Sequence, residues 1–366
     1  MDDPYFEGCT DYQRVIIDTV ATHKTRIDAA AELGISTRAL RRHMVVIEAL
    51  RNGPIVKPPK DPLKFSPVPG PDLPVAELWD RRQEGYDLKH AHEEAAKLRK
   101  VEVKIDGPIG ILHFGDPHID DDGTDLGALQ RDCEAVRSTE GLFGANIGDT
   151  TNNWVGRLSR LYGEQSTTAG QAWKLAEYFL HFCPGQDPWD MKLPERRALL
   201  KNWLYLIGGN HDAWSGAGDP LKWMLKQADA SYERSQVRLE LRFPNGRHCR
   251  INARHDFRGT SQWNPAHGSM KACQMGFHDH ILVNGHKHRS GYGLIKDPMR
   301  GTISHCIQVA SYKVHDRYAK DSGFIDQHIS PAVVTIINPM AEERGLVTVF
   351  HDTEAAVDFL TFLRSR

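Results

Sequence analysis

Five short polar clusters, most of them at the end of an apolar run, constrain this 366-residue chain more than any other feature. They are Asp116-Pro117-His118, Gly148-Asp149, Gly209-Asn210-His211-Asp212, His255-Asp256 and Gly285-His286-Lys287-His288. The apolar runs leading into them lie at 109–114, 142–147, 204–207, 250–254 and 281–284, and each is short enough to be a buried strand. Residues 127–137, 171–182 and 220–229 read as intervening helices. Strands at 303–310, 332–338 and 346–350 and a closing helix at 353–364 complete the pattern. Strand–helix alternation predicts an α/β sheet with covered faces. In such sheets ligands gather beyond the carboxyl ends of the strands, which is where every cluster falls.

The residue types in the clusters point to metal chemistry. Asp116 and His118 are two apart, so in extended backbone one carboxylate and one imidazole face the same side. His286 and His288 repeat that spacing around Lys287. Asp149 has two oxygens and can bridge two cations. Asn210 offers a neutral amide oxygen that limits the negative charge. Oxygen and imidazole donors without thiolate suit Mn²⁺, the first expectation here, and equally Fe, Zn²⁺, Ni²⁺ or Mg²⁺.

With its DxH, GDxxN, GNHD, H and GHxH motifs, the stretch from about 105 to 350 resembles the calcineurin-like metallophosphoesterases. The resemblance implies a four-layer α/β sandwich holding two divalent metal ions. One ion would be held by Asp116, His118, Asp149 and His288, the other by Asp149, Asn210, His255 and His286. It further implies in-line attack on phosphorus by a metal-bridging hydroxide, with His211 near the leaving group. One position departs from the family pattern. The second motif usually ends in an Asp that orients the catalytic histidine, and here it ends in Asn152. An Asn oxygen can orient an imidazole N–H but cannot stabilise imidazolium by charge; Asn153 is the alternative orienting residue. Asn153 and Trp154 follow where the Ser/Thr protein phosphatases carry Arg, so the chain is not expected to be one of those.

The amino-terminal part has a different texture. Residues 11–21 form a predicted helix, and 26–45 carry Ala30 at a close helix crossing, Gly34 at a turn, Ile35 and Leu40 as apolar anchors, and Ser36 as a cap. This segment resembles the helix-turn-helix of bacterial and phage DNA-binding proteins, which would put Arg38, Arg41 and Arg42 on the recognition helix. Residues 1–55 hold seven Lys and Arg against eight Asp and Glu, so the module is not basic overall. A small helical domain that binds protein or forms dimers is the competing reading. Eight prolines between 53 and 74 predict an extended linker. Residues 75–100 read as an exposed bridging helix. The expected domains are therefore 1–52 (helix-turn-helix), 53–100 (linker and bridging helix) and 101–366 (phosphoesterase).

Composition sets outer bounds. Net charge is −2, which gives no global electrostatic case for nucleic acid. No apolar run approaches a membrane span, and the acidic start lacks the regions of a secretory leader. The six scattered cysteines read as reduced, buried thiols of a cytoplasmic protein, and the helix-turn-helix resemblance implies a bacterial cell or a phage-infected host. Trp154, Arg157, Arg160 and Tyr162 form an aromatic-and-basic stretch that either lines a nucleic-acid groove or is a solvated loop anchored by its Trp. Trp214 and Trp263 offer further stacking surfaces, and His267 is a possible phosphate contact or a loop histidine.

Three functions are compatible with these observations. The leading one is a DNA nuclease delivered by its helix-turn-helix. The second is a phosphomonoesterase or cyclic-nucleotide phosphodiesterase with a regulatory amino-terminal module. The third is a DNA-binding regulator whose phosphoesterase domain is only a scaffold. DNA is the expected partner, and a homodimer would suit paired half-sites.

Overall fold

The computed structural model describes residues 8–52, 72–154, 156–214, 218–228, 230–321 and 331–366, with 63, 65, 66, 68, 70, 216 and 323 singly; the side chains of 156–158, 164 and 227 lie outside the description. Most of the proline-rich segment, and the side chain of Arg157, therefore fall outside the described residues. Two compact units are present, residues 1–79 and 80–366.

In the first unit, α1 (Asp11–Thr22), α2 (Arg26–Glu32) and α3 (Thr37–Asn52) pack around Ile16, Ala29, Ala30, Leu40 and Ile47. Local sequence sets each boundary. Thr10 caps α1 in a reciprocal capping box with Gln13, and Thr25 caps α2. Gly34 turns the chain at a φ of 65°, a left-handed conformation that costs glycine little. Ser36 Oγ accepts from the backbone N–H of Ala39 at the start of α3. Arg38, Arg41 and Arg42 stand exposed on α3. The helix α4 (Val75–Ala96) has no buried residue.

The second unit is a four-layer α/β sandwich. Its strands are β1 (Arg99–Glu102), β2 (Ile109–Phe114), β3 (Leu142–Asn146), β4 (Trp203–Ile207), β5 (Ser231–Glu233), β6 (Gln236–Arg242), β7 (His248–Arg254), β8 (Ile281–Asn284), β9 (Gly291–Asp297), β10 (Thr302–Gln308), β11 (Ala332–Ile337) and β12 (Val347–Phe350). One six-stranded sheet runs β12-β11-β2-β3-β4-β5 and the other β1-β6-β7-β8-β10-β9. The helices α5 (Leu126–Ser138), α6 (Ala169–Leu180), α7 (Leu193–Leu200), α8 (Pro220–Met224), α9 (His267–Ala272), α10 (Arg317–Asp321), α11 (Glu343–Leu346) and α12 (Thr353–Arg364) complete it.

Side-chain alternation builds the layers. On β2, Ile109 and Ile111 enter the core between the sheets, where they meet Leu239, Ile251 and Val283 of the other sheet. Leu112 and Phe114 point the opposite way, onto a core shared with Leu129 of α5, Phe179 of α6 and Leu360 of α12. Beyond the other sheet, Leu282 and Cys306 pack with Cys273 next to α9. Burying each such aliphatic or aromatic side chain contributes about 1.5–3 kcal/mol before chain entropy is counted.

Several elements differ from the sequence expectation. The sheet begins at Arg99, inside the stretch expected to be linker and helix, because Arg99–Glu102 pairs in parallel with Leu239–Arg242. As an edge strand with one half-buried residue, β1 shows no apolar run. β6 and β9 likewise lack a continuous apolar run, since Arg238, Glu240 and Arg242 interrupt the one and Gly291, Gly293 and Lys296 the other. The helix expected at 220–229 is one turn of α-helix to Met224 and a short 3₁₀ turn at Leu225–Gln227. All six cysteines are free and buried, and no described helix is long and apolar enough to cross a membrane.

Candidate metal centre

β2, β3 and β4 run parallel in one sheet, as do β7, β8 and β10 in part of the other, so their carboxyl ends open onto one rim. The five polar clusters follow β2, β3, β4, β7 and β8 by one to three residues. The chain makes its turns there in strained backbone. His118, Asp149, His286 and His288 all have left-handed φ values, from 39° to 70°. Each such non-glycine residue costs on the order of 1–3 kcal/mol and persists only where its surroundings over-determine it. Two glycines are required by close approach. A Cβ on Gly285 or on Gly209 would overlap the carboxylate of Asp116 or of Asp149 respectively.

Two sets of side chains converge. Asp116, His118 and His288 form one, and Asp149, His255 and His286 the other, with the donor atoms of each within 4.8 Å of one another. In the first, His118 Nε2 lies 3.2 Å from His288 Nε2, which is 3.4 Å from Asp116 Oδ2. In the second, His255 Nδ1 faces the carbonyl of Ile147 at 3.0 Å, which leaves its Nε2 for the centre. Around that nitrogen lie Asn210 Oδ1 at 2.9 Å, Asp149 Oδ2 at 3.1 Å and His286 Nδ1 at 3.1 Å. A histidine anchored through its outer nitrogen to a backbone carbonyl is oriented as metal-binding histidines are.

Electrostatics separates His255, protonated against Asp149 and so obliged to shed a proton before it could hold a cation, from the other three imidazoles. Burial resists charge on His255, but the Asp149 carboxylate outweighs it and raises the imidazole to about 10. Burial likewise works against ionised Asp149, and His255 overcomes it and holds the carboxyl well below the usual range. Burial followed by His288 lowers His118, burial lowers His288 to about 4, and burial followed by His255 lowers His286. These three are thus neutral imidazoles with lone pairs available to a cation. Asp116 Oδ1 and His118 Nδ1 are buried without a hydrogen-bond partner, which is expensive unless something else fills the valence. The donor set fits two divalent cations, with Asp149 placed beside donors of both sets.

His211 sits at the edge of the centre, its ring 5.2 Å from that of His118 and 5.5 Å edge-on to Trp154. Its backbone N–H donates to Asp149 Oδ1 at 2.9 Å. Its Nδ1 bonds the backbone carbonyl of Asn152, not the Asn152 side chain expected to orient it. That side chain turns away, donating to Asp121 Oδ2 at 2.7 Å and Gln165 Oε1 at 3.1 Å. Asn153 Nδ2 donates to the carbonyls of His211 and Ala213, at 2.9 and 2.8 Å, and so fixes the loop rather than the ring.

Four further residues complete the site, Asp212 and Trp154 from the motif segments and Lys313 and Asp316 from outside them. Asp212 is buried and accepts from the N–H groups of Thr150 and Gly209, tying the second motif to the third. Burial and then Asp149 push its carboxyl up to about 7. Trp154 is buried against the site and anchors a segment on which Arg160 is exposed. Lys313 and Asp316 come from the segment after β10, which brings them to the same rim. No motif flagged them, since only the parallel pairing of β10 with β8 carries them there. The other expected surface residues lie apart from the metal centre's hydrogen bonds. Arg160 is exposed, Trp263 is 92% exposed, Trp214 is turned edge-on to Trp173, and His267 opens α9.

No protein-family model and no curated protein matches this sequence. Among solved structures, the chain is similar to the NAD nucleotidase NadN of Haemophilus influenzae, at 11% identity and a TM-score of 0.30 over 66% of this chain and 49% of that one. It thus spans about half the length of that protein. It is also similar to the calcineurin-like phosphoesterase YfkN from Bacillus subtilis, at 12% identity and a TM-score of 0.31 over 66% of this chain and 88% of that one.

Proposed function

We propose that the protein is a metal-dependent phosphoester hydrolase, and that its substrates are phosphodiesters, DNA first among them. The observation that carries this reading is the convergence of Asn210, Asp149 and His286 on His255 Nε2, all within 3.1 Å, beside a second Asp–His–His set. One ion would be held by Asp116, His118, Asp149 and His288, the other by Asp149, Asn210, His255 and His286. When bound, such a pair acidifies water and offsets the charge on phosphate oxygens. The rest is the work of the chain itself. With Nδ1–H held by the Asn152 carbonyl, His211 presents Nε2 to the leaving oxygen and, when doubly protonated, donates from it. Asp149 accepts from the His211 backbone and fixes where that ring stands relative to the donors. Lys287 Nζ reaches Asp256 Oδ1 at 3.2 Å and the Gly259 carbonyl at 2.5 Å, pinning the loop after β7 to the loop after β8.

DNA is favoured as substrate by the three-helix unit with Arg38, Arg41 and Arg42 exposed on α3. One observation favours a small ester instead. The cavity over the metal centre is about 320 Å³, walled by Trp154, Lys313, Arg289 and Tyr318, within the size range of small-ligand sites. The test is Mn²⁺-dependent cleavage of labelled single- and double-stranded DNA beside bis-p-nitrophenyl phosphate and p-nitrophenyl phosphate, with Asp149→Ala and His211→Ala as controls. DNA cleavage lost in both variants is the expected result. Hydrolysis of the small esters alone would remove DNA as substrate, and no hydrolysis at all would leave the scaffold reading.

A further inference from the structure

Lys313 is a buried ammonium at the rim of the metal centre, 5% exposed, and nothing in the proposed chemistry uses it. Its backbone is locked to the first motif. Ser311 Oγ donates to the Asp116 carbonyl at 2.7 Å and accepts from the Lys313 N–H at 3.0 Å, and Lys313 bridges Thr124. Its Nζ has three partners: Asp121 Oδ2 at 2.9 Å, Asp316 Oδ1 at 3.2 Å and the face of Trp154 at 4.5 Å. A buried charge is tolerable only with such satisfaction.

Each partner leads to the site. Asp121 Oδ2 also accepts from Asn152 Nδ2 at 2.7 Å, and it is the Asn152 carbonyl that bonds His211 Nδ1. Trp154 stands edge-on to His211, with ring centres 5.5 Å apart. Asp316 Oδ2 lies 3.9 Å from His288 Nδ1, the nitrogen facing away from Asp116 and His118. One ammonium therefore ties the histidine on the leaving-group side to a histidine of the metal set, by routes in which every link is a buried or half-buried polar or ring contact.

We propose that Lys313 is a positioning residue that holds His211 in register with the metal centre, through Asp121–Asn152 and Trp154 on one side and Asp316–His288 on the other. This rests on the phosphoester hydrolase reading. In the reaction water forms the new P–O bond while the P–O bond to the leaving group breaks, and the doubly protonated His211 passes its Nε2 proton to the departing oxygen and keeps the Nδ1 proton on the Asn152 carbonyl; Lys313 gives up no proton. Its effect is thus confined to substrates whose leaving group needs that proton.

The experiment compares the full-length protein with Lys313→Met, which removes the charge and keeps most of the stem. Two diesters are used, one losing p-nitrophenolate and one, a dinucleotide, losing an alkoxide. Loss of alignment is expected to lower kcat on the dinucleotide by about 10- to 100-fold with KM little changed, and to lower kcat much less on the nitrophenyl ester. A second readout is independent of turnover. In metal-free protein, imidazole ¹⁵N spectra should show His211 protonated at Nδ1 in the wild type and as mixed tautomers in Lys313→Met. Equal losses on both esters together with an unchanged tautomer would overturn the proposal and leave Lys313 a packing residue. Should Lys313→Met fail to fold, Asp121→Asn decides, since it weakens the Lys313–Asp121–Asn152 arm while leaving an oxygen for the Gly123 N–H and the Lys313 contacts to Asp316 and Trp154. The same leaving-group dependence is expected there, and its absence counts against the proposal. If the wild type hydrolyses neither ester, the hydrolase reading itself falls and this inference falls with it.

Discussion

His211 Nδ1 is bonded to the backbone carbonyl of Asn152, while the Asn152 side chain donates in the opposite direction to Asp121. The orienting acceptor is thus supplied by the peptide, and the departure from Asp at this position does not remove it. Putting Asp at 152 would place a second carboxylate against Asp121 and delete both donations, to Asp121 and to Gln165 Oε1. Asn152→Asp is expected to cost roughly 1–3 kcal/mol of stability and to leave kcat no higher than the wild type. Urea unfolding and steady-state kinetics on one diester check this. A faster enzyme would mean that the side chain, not the carbonyl, limits His211.

Gly209 has no room for a methyl group. A Cβ there would overlap Asp149, whose Oδ1 accepts from His211 and whose Oδ2 faces His255. Gly209→Ala must displace the carboxylate placed between both donor sets. It is expected to abolish tight Mn²⁺ binding in calorimetric titration while the far-ultraviolet circular dichroism stays that of the wild type. Gly85→Ala, where nothing lies within 4 Å of the added carbon, is the matched control and should bind as the wild type does. Equal Mn²⁺ affinity in Gly209→Ala would show that Asp149 is not a ligand.

The sandwich and the gathering of the polar clusters on one rim were legible because β2, β3, β4 and β8 are buried almost throughout, so their apolar runs stand out and end at the clusters. β1 and β9 were not, because these edge strands have no fully buried residue and so carry no apolar run. Among the residues around His211, Asn152 was found from its motif but given the wrong atom, since side chain and carbonyl are indistinguishable in sequence. Lys313 and Asp316 carried no local signal at all. Their relation to Asp121 spans nearly two hundred residues and exists only because β10 lies beside β8.

His113 sets a pH dependence of stability away from the candidate metal donors. Its ring is wholly buried, with Nδ1 at 2.7 Å from the Tyr205 hydroxyl and Nε2 at 2.9 Å from Thr335 Oγ1, and no carboxylate is bonded to it. Burial pulls it down to about 3 from the ordinary 6.5. The unfolded chain therefore takes up a proton first as the pH falls. The contribution is fully present above about 6.5, and is lost at up to about 1.4 kcal/mol per pH unit until the folded group titrates near 3. His113→Gln should be less stable at neutral pH but should lose less between about pH 7 and pH 5. Urea midpoints at the two values measure it. An unchanged difference would show that other groups account for the whole slope.

The amino-terminal unit makes a separable prediction about DNA. Arg38, Arg41 and Arg42 are exposed along α3, whereas Leu40 and Ile47 on the same helix are buried in the three-helix core. The arginines can therefore be replaced without touching the packing that holds the helices together. If they meet phosphates, each removes about one unit or slightly less from the slope of log affinity against log salt. Arg38→Ala, Arg41→Ala and Arg42→Ala combined should flatten that slope by up to about 3 and weaken duplex binding most at low salt. Hydrolysis of bis-p-nitrophenyl phosphate should be unaffected, because these residues belong to residues 1–79 and the metal donors to 80–366. Fluorescence anisotropy at several salt concentrations reads the slope. A slope equal to that of the wild type would assign the exposed face of α3 to protein contact instead.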